Sequence, residues 1–165
     1  MPIFRDMTMK IAFSPLDEIS AREIARWRYD PPYDLYNLGN EEAAVQYALE
    51  PKNRFYTLRD ADGDLVGFCS FGEDGQVPGG DYSLEALDIG MGIRPDLTGM
   101  GRGTEYVAAV LDFARDAFVP RRFRVTIAGF NQRAQRVWQA NGFYPVQTFN
   151  HQSSGHEFVV FICDT

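Results

Sequence analysis

The spacing of apolar positions changes several times along the chain, and each change marks an element. Residues 10–13 form a short apolar run that reads as a first strand. Ser14-Pro15 and Ser20-x-x-Glu23 are helix-start signals, and Ile24 and Trp27 then share a face at helical spacing. Residues 29–39 carry Pro31, Pro32 and Gly39 and read as a loop. Asn40 is placed to cap a helix over residues 41–49, which Pro51 stops. Residues 54–59 and 65–71 read as a hairpin around Asp62-Gly63. A polar, glycine-rich stretch at 73–83 precedes a strand at 84–93, which Pro95 ends. From Thr104, the positions Val107, Val110, Leu111, Ala114 and Phe118 recur at three and four, the mark of an amphipathic helix. Residues 122–128 read as a strand, and 131–140 as a helix with Ala134, Val137 and Trp138 on one side. Asn141-Gly142 supplies a left-handed stop to that helix. Two strands follow, at 144–149 and 158–163.

The predicted order is β-α-α-β-β-β-α-β-α-β-β. Three consecutive strands ahead of a strand–loop–helix–strand unit make an α+β pattern rather than a repeated βαβ winding. A chain of 165 residues suffices for one domain with a proper core. The net charge of −7 argues against a nucleic-acid or anionic-membrane surface, both of which want a basic patch, and favours a cationic partner at long range. Cys69 and Cys163 each lie in an apolar stretch and read as reduced, buried thiols. His151 and His156 stand in no ligand spacing, so no metal is expected. No charged-then-apolar leader pattern and no run of membrane-span length is present, and a cytoplasmic enzyme is the expectation.

Two segments carry chemistry. In the first, Asp88-Ile-Gly-Met91-Gly92-Ile93-Arg-Pro95 leads into Thr98-Gly99-Met100-Gly101-Arg102-Gly103-Thr104 and then a helix. A glycine loop between a strand and a helix N-terminus turns several free amides toward one point, where the helix dipole adds positive potential. Such a place suits a phosphate or pyrophosphate. The loop lacks the Gly-Lys-Ser/Thr ending of a Walker loop and the Gly-x-Gly-x-x-Gly spacing of a dinucleotide fold. In the second segment, Asn131, Ala134, Trp138, Gly142 and Phe143 each have a packing or capping explanation when taken singly.

Taken together, the two segments resemble the GNAT superfamily of N-acetyltransferases. Its cofactor loop reads Gln/Arg-x-x-Gly-x-Gly/Ala, which residues 98–103 match except for Thr98 at the first place. Its later motif, Asn-x-x-Ala-x-x-x-aromatic-x-x-x-Gly-Phe, is filled at every place by Asn131, Ala134, Trp138, Gly142 and Phe143. The resemblance implies a mixed, mostly antiparallel central sheet with helices on both faces, in a single domain over residues 1–165. It implies acetyl-CoA as cosubstrate, with Met91, Gly92 and Ile93 against the pantetheine arm. The amides of Gly99 to Thr104, with Thr98, Met100 and Arg102 in the same loop, would hold the pyrophosphate. Asn131, Ala134 and Trp138 would line the cofactor from the following helix. Arg102 and Arg133 are candidate phosphate cations.

The chain departs from the family at the proton-handling positions. Relatives that resemble ribosomal-protein alanine acetyltransferases carry a tyrosine acid where Trp138 stands and a glutamate base where Thr126 stands. An indole does not ionise usefully and a threonine hydroxyl is a poor base. Asp88, and after it Glu85, are the expected replacement bases, and Tyr29, Tyr33, Tyr36 or Tyr144 the replacement acids. Trp27, Tyr29, Tyr33 and Tyr36, near Asp30 and Asp34, would line the acceptor side, because rings beside carboxylates suit an ammonium. The expected acceptor is an amine of a small molecule or peptide, and the expected assembly a monomer or homodimer. A non-catalytic CoA-binding regulatory module and some other phosphate-ligand protein are the competing classes.

Overall fold

The computed structural model describes residues 9–165. The elements run β1 (Ala12–Pro15), α1 (Glu18–Ala25), α2 (Glu41–Leu49), β2 (Phe55–Arg59), β3 (Leu65–Phe71), β4 (Leu87–Ile93), α3 (Gly103–Phe118), β5 (Arg122–Ala128), α4 (Gln132–Ala140), β6 (Tyr144–Asn150) and β7 (Glu157–Asp164). The seven strands form one sheet in the order β1-β2-β3-β4-β5-β7-β6. Every neighbouring pair is antiparallel except β4 with β5, which is parallel. The α+β architecture with a mostly antiparallel mixed sheet is therefore as expected.

Local chemistry explains most boundaries. Asn40 accepts the Ala43 amide at 2.9 Å and starts α2, and Asn131 accepts the Ala134 amide at 3.0 Å and starts α4. Gly142, at φ +92°, ends α4 in the left-handed region. Three starts differ from the sequence expectation. Strand β1 begins at Ala12 rather than residue 10 and includes Ser14 and Pro15, which pair with Thr57 and Tyr56 instead of starting a helix. Helix α1 is capped by Asp17, whose carboxylate accepts both the amide and the hydroxyl of Ser20 at 2.8 Å, so Ser20 lies inside the first turn. Strand β4 begins at Leu87 rather than residue 84. The carbonyls of Leu84 and Glu85 accept from the guanidinium groups of Arg124 and Arg122 instead of from a neighbouring strand.

The main core lies on one sheet face. Tyr106, Val107, Val110, Leu111 and Ala114 of α3, with Trp138 of α4, pack on Leu58, Cys69, Phe71, Ile89, Phe123, Val125 and Ile127. Side chains alternate across a strand, so Thr57, Phe68, Ser70, Asp88 and Arg124 point to the opposite face. Helices α1 and α2 cover that face. Ser20 meets Arg59, Trp27 stands 6.2 Å from Phe68, and Tyr47 meets Phe55 edge-on. Cys69 and Cys163 are both free, and burial pushes the Cys69 thiol well above its ordinary range. Among the described residues, no helix is long and apolar enough to cross a membrane.

Candidate functional site

The sheet opens where β4 and β5 part. Their parallel pairing covers only Leu87 with Phe123 and Asp88 with Arg124, yet β4 continues to Ile93 and β5 to Ala128. On its other side β4 stays paired with β3 as far as Ile93. The Asp88 carbonyl accepts from Gly72 and the Arg94 amide donates to Val66, both at 2.9 Å, so even-numbered residues of β4 turn their backbone toward β3. Alternation then directs the backbone of Met91 and Ile93 into the wedge. The Ile93 carbonyl is taken by the Tyr29 hydroxyl at 2.7 Å, and the Met91 amide has no strand partner there. Gly92 completes the expected cofactor strand, with Phe68 filling the space a side chain would need on the other face.

The glycine loop follows at the end of β4. Thr98 turns its hydroxyl to the Pro95 carbonyl at 2.7 Å, which pins the loop entrance. Gly99 and Gly101 adopt φ +72° and +76°, a region open to glycine and strained for other residues. Helix α3 has no side-chain cap, and the amides of residues 99–104 donate to no acceptor among the described residues. The loop thus presents a run of free donors at a helix N-terminus. Met100 is exposed at its tip. Of the two arginines considered for phosphate contact, Arg102 is paired with Glu105 at 3.0 Å. Arg133 instead reaches over the loop, its Nη1 lying 3.2 Å from where a β-carbon on Gly99 would sit. Gly103 serves packing, because its β-carbon would meet Val137 at 3.0 Å.

The second motif folds beside this loop. Asn131 caps α4, and its amide group donates to the Tyr36 hydroxyl at 3.1 Å. Ala134 packs at the edge of the core, while Trp138 is buried within it, edge-on to Phe143 at 5.0 Å. Trp138 is therefore a packed core ring, and its indole N–H is too weakly acidic to replace a tyrosine acid. The aromatic loop is divided. Trp27 lies near Phe68, Tyr29 reaches β4, and Tyr33 and Tyr36 cross to Phe130, a ring that motif spacing did not single out. The loop spans the wedge mouth from β4 to the start of α4. Desolvation pushes the Tyr29 hydroxyl up to about 12 and raises that of Tyr36, which keeps both protonated at neutral pH. Tyr144 is exposed on the outermost strand, β6.

The two carboxylates expected as bases require correction. Asp88 is buried and bound in fork geometry to Arg124, with Oδ1 to Nε at 2.6 Å and Oδ2 to Nη2 at 2.8 Å, and Gln76 adds a third donor at 2.9 Å. Neither oxygen is free to face an amine. Glu85 is exposed beside Arg122, before the start of β4, whereas the wedge opens at the strand's other end. Sequence reasoning did not single out other polar groups that the fold gathers beside β4 and β5. The Tyr82 hydroxyl bonds Thr126 Oγ1 at 2.9 Å, and its ring lies under the Arg124 guanidinium at 4.9 Å. Asp74 accepts from Tyr47 at 2.7 Å and from Ser70, beside Gly90 of β4. Both come from the polar stretch 73–83, where no periodicity or spacing marks a site.

The sequence matches the family model of the acetyltransferase (GNAT) domain over residues 10–144. No curated protein matches it. Among solved structures, a spermidine N-acetyltransferase chimaera from Vibrio cholerae and hSSAT superposes with a TM-score of 0.74 at 14% identity, covering 93% of this chain and 95% of the other. A GNAT-family acetyltransferase from Bacillus anthracis gives 0.72 at 15% identity, covering 94% and 95%. A dodecameric spermidine N-acetyltransferase from Vibrio cholerae gives 0.66 at 14% identity, covering 93% of each chain. At these identities the likeness is one of fold.

Proposed function

This chain belongs to the GNAT acetyltransferase family, and from that premise we propose that it acetylates the primary amine of a small cationic molecule or basic peptide, with acetyl-CoA as the donor. The observation that carries the reading is the wedge between β4 and β5, with the Met91 amide directed into it and the donor-rich loop of residues 99–104 at its end. These residues fit an acyl-CoA: free amides and Arg133 suit the diphosphate, and unpaired strand backbone suits the amides of the pantetheine arm. When bound, acetyl-CoA supplies a thioester carbonyl open to attack by an amine.

The protein's own contributions follow from the geometry. The loop amides and the dipole of α3 bind and orient the donor. The Met91 amide donates to the oxygen that gains charge as the amine adds, as an oxyanion donor does. Holding donor and acceptor together removes much of the entropic barrier. The Tyr29–Ile93 and Tyr36–Asn131 contacts hold the aromatic loop across the mouth and limit access of water. The net charge of −7 and the half-buried rings of that loop, of which Tyr36 is exposed, favour a cationic acceptor. Spermidine, named for two of the similar folds, is a sensible first member of an amine panel.

The test has two readings. Acetyl-CoA should raise the melting temperature by mass action, and mononucleotides should not. Release of CoA thiol should depend on an amine from a panel of polyamines, aminoglycosides and basic peptides. Stabilisation without turnover of any amine would replace this reading with a CoA-binding regulatory module. No stabilisation would remove the cofactor assignment itself.

A further inference from the structure

We propose that Asp74 is the group that binds the acceptor ammonium and takes its proton, in place of a base on β4; this rests on the acetyltransferase reading above. Asp74 lies in the turn after β3, on the face covered by α1 and α2. Its Oδ2 is 3.0 Å from the point where a β-carbon on Gly90 would stand, and Ser70 Oγ crowds the same point. The side-chain space at position 90 of the cofactor strand is thus filled by a carboxylate from a neighbouring turn. The next residue along β4 is Met91, whose amide faces the wedge.

Three further observations agree. The donors to Asp74 are the neutral hydroxyls of Tyr47 and Ser70, and no ion pair includes it among the described residues. Its charge is therefore uncompensated, in contrast to that of Asp88. A carboxylate has about four lone-pair sites, and two hydroxyl donors leave room for an incoming N–H. Finally, a run of rings leads to it: Trp27 to Phe68 at 6.2 Å, Phe68 to Phe55 at 6.0 Å, and Phe55 to Tyr47 at 6.1 Å. A run of rings that ends at a carboxylate without a cationic partner is the chemistry of ammonium recognition.

The step balances without another reactant. Asp74 takes one proton from the ammonium, which leaves a neutral amine. The nitrogen lone pair forms the C–N bond at the thioester carbon, and the C–S bond breaks with its electron pair on sulfur. The second N–H proton neutralises the thiolate, and Asp74 returns its proton to solvent. The products are the amide, CoA thiol and one proton.

The experiment is a pH–rate profile from pH 6 to 10 for the wild type, Asp74→Asn and Asp74→Glu, with the best amine of the panel. Asp74→Asn should lose about a hundredfold or more in kcat/KM at neutral pH, and the loss should shrink as free amine becomes available. Asp74→Glu should recover part of the rate, and the thermal shift with acetyl-CoA should be the same in all three. A profile for Asp74→Asn that parallels wild type, at equal or uniformly lower rate, would overturn the assignment while leaving the acetyltransferase reading intact. Absence of wild-type turnover with every amine would overturn both.

Discussion

The ion pair between Asp88 and Arg124 offers a test of what a buried carboxylate does beside this wedge. Its partners lie 36 residues apart, and both side chains are 4% exposed. Asp88→Asn keeps the shape and one acceptor oxygen but leaves a buried guanidinium without its counter-charge. Removing one partner of a buried pair costs about 3–5 kcal/mol, and the retained acceptor places the expectation near the lower end, about 3 kcal/mol. For a domain of this size each kcal/mol moves the melting temperature by about 2–4 °C, so a fall of about 6–12 °C is expected. Arg124→Met should be at least as damaging, because it strands the carboxylate with Gln76 alone. The double variant Asp88→Asn/Arg124→Met removes both charges and should recover part of the summed loss, a coupling read directly from a double-mutant cycle. Thermal and urea denaturation measure the stability, and a pH–rate profile at a temperature where each variant is folded measures the chemistry. Turnover of Asp88→Asn should run parallel to wild type across pH. An unchanged melting temperature, with a rate defect confined to low pH, would refute this reasoning and return Asp88 to the role of base.

Two other substitutions separate packing from binding. Gly101→Val meets no protein atom within 4 Å of its β-carbon but must hold φ +76°, so it should cost about 1–2 kcal/mol and abolish the acetyl-CoA thermal shift; Gly103→Val should unfold more easily with no ligand present, because Val137 stands at 3.0 Å. Unchanged stabilisation of Gly101→Val by acetyl-CoA would defeat the loop assignment. Trp138→Phe should retain most activity, whereas Trp138→Ala should lose about 3–5 kcal/mol in a denaturant titration through the cavity it leaves; a Phe variant without activity would contradict a packing role.

What the sequence determined by itself is what short-range physics controls. The periodicity of Val107, Val110, Leu111 and Ala114 specifies α3, because residues three and four apart share a helix face whatever lies beyond it. Asn40, Asn131 and Gly142 set helix ends through hydrogen bonds and dihedrals that span three or four residues. The loop of residues 98–104 is equally local, so the glycine-rich half of the candidate site was legible as a run of free amides at a helix start, along with the order of all eleven elements. The acceptor half was not. Asp88 reads as a free carboxylate until β4 and β5 align and bring Arg124 against it. Asp74 sits in a stretch without period or motif, and gains its place only when β3 pairs with β4 so that Ser70 faces Gly90. Tyr82 reaches Thr126 across 44 residues. The wedge itself is a failure of pairing after two positions, a property of how two strands twist apart rather than of either strand's residues. Such groups are chosen by strand register, and register follows from the packing of the whole sheet against α1 and α2 on one face and α3 and α4 on the other.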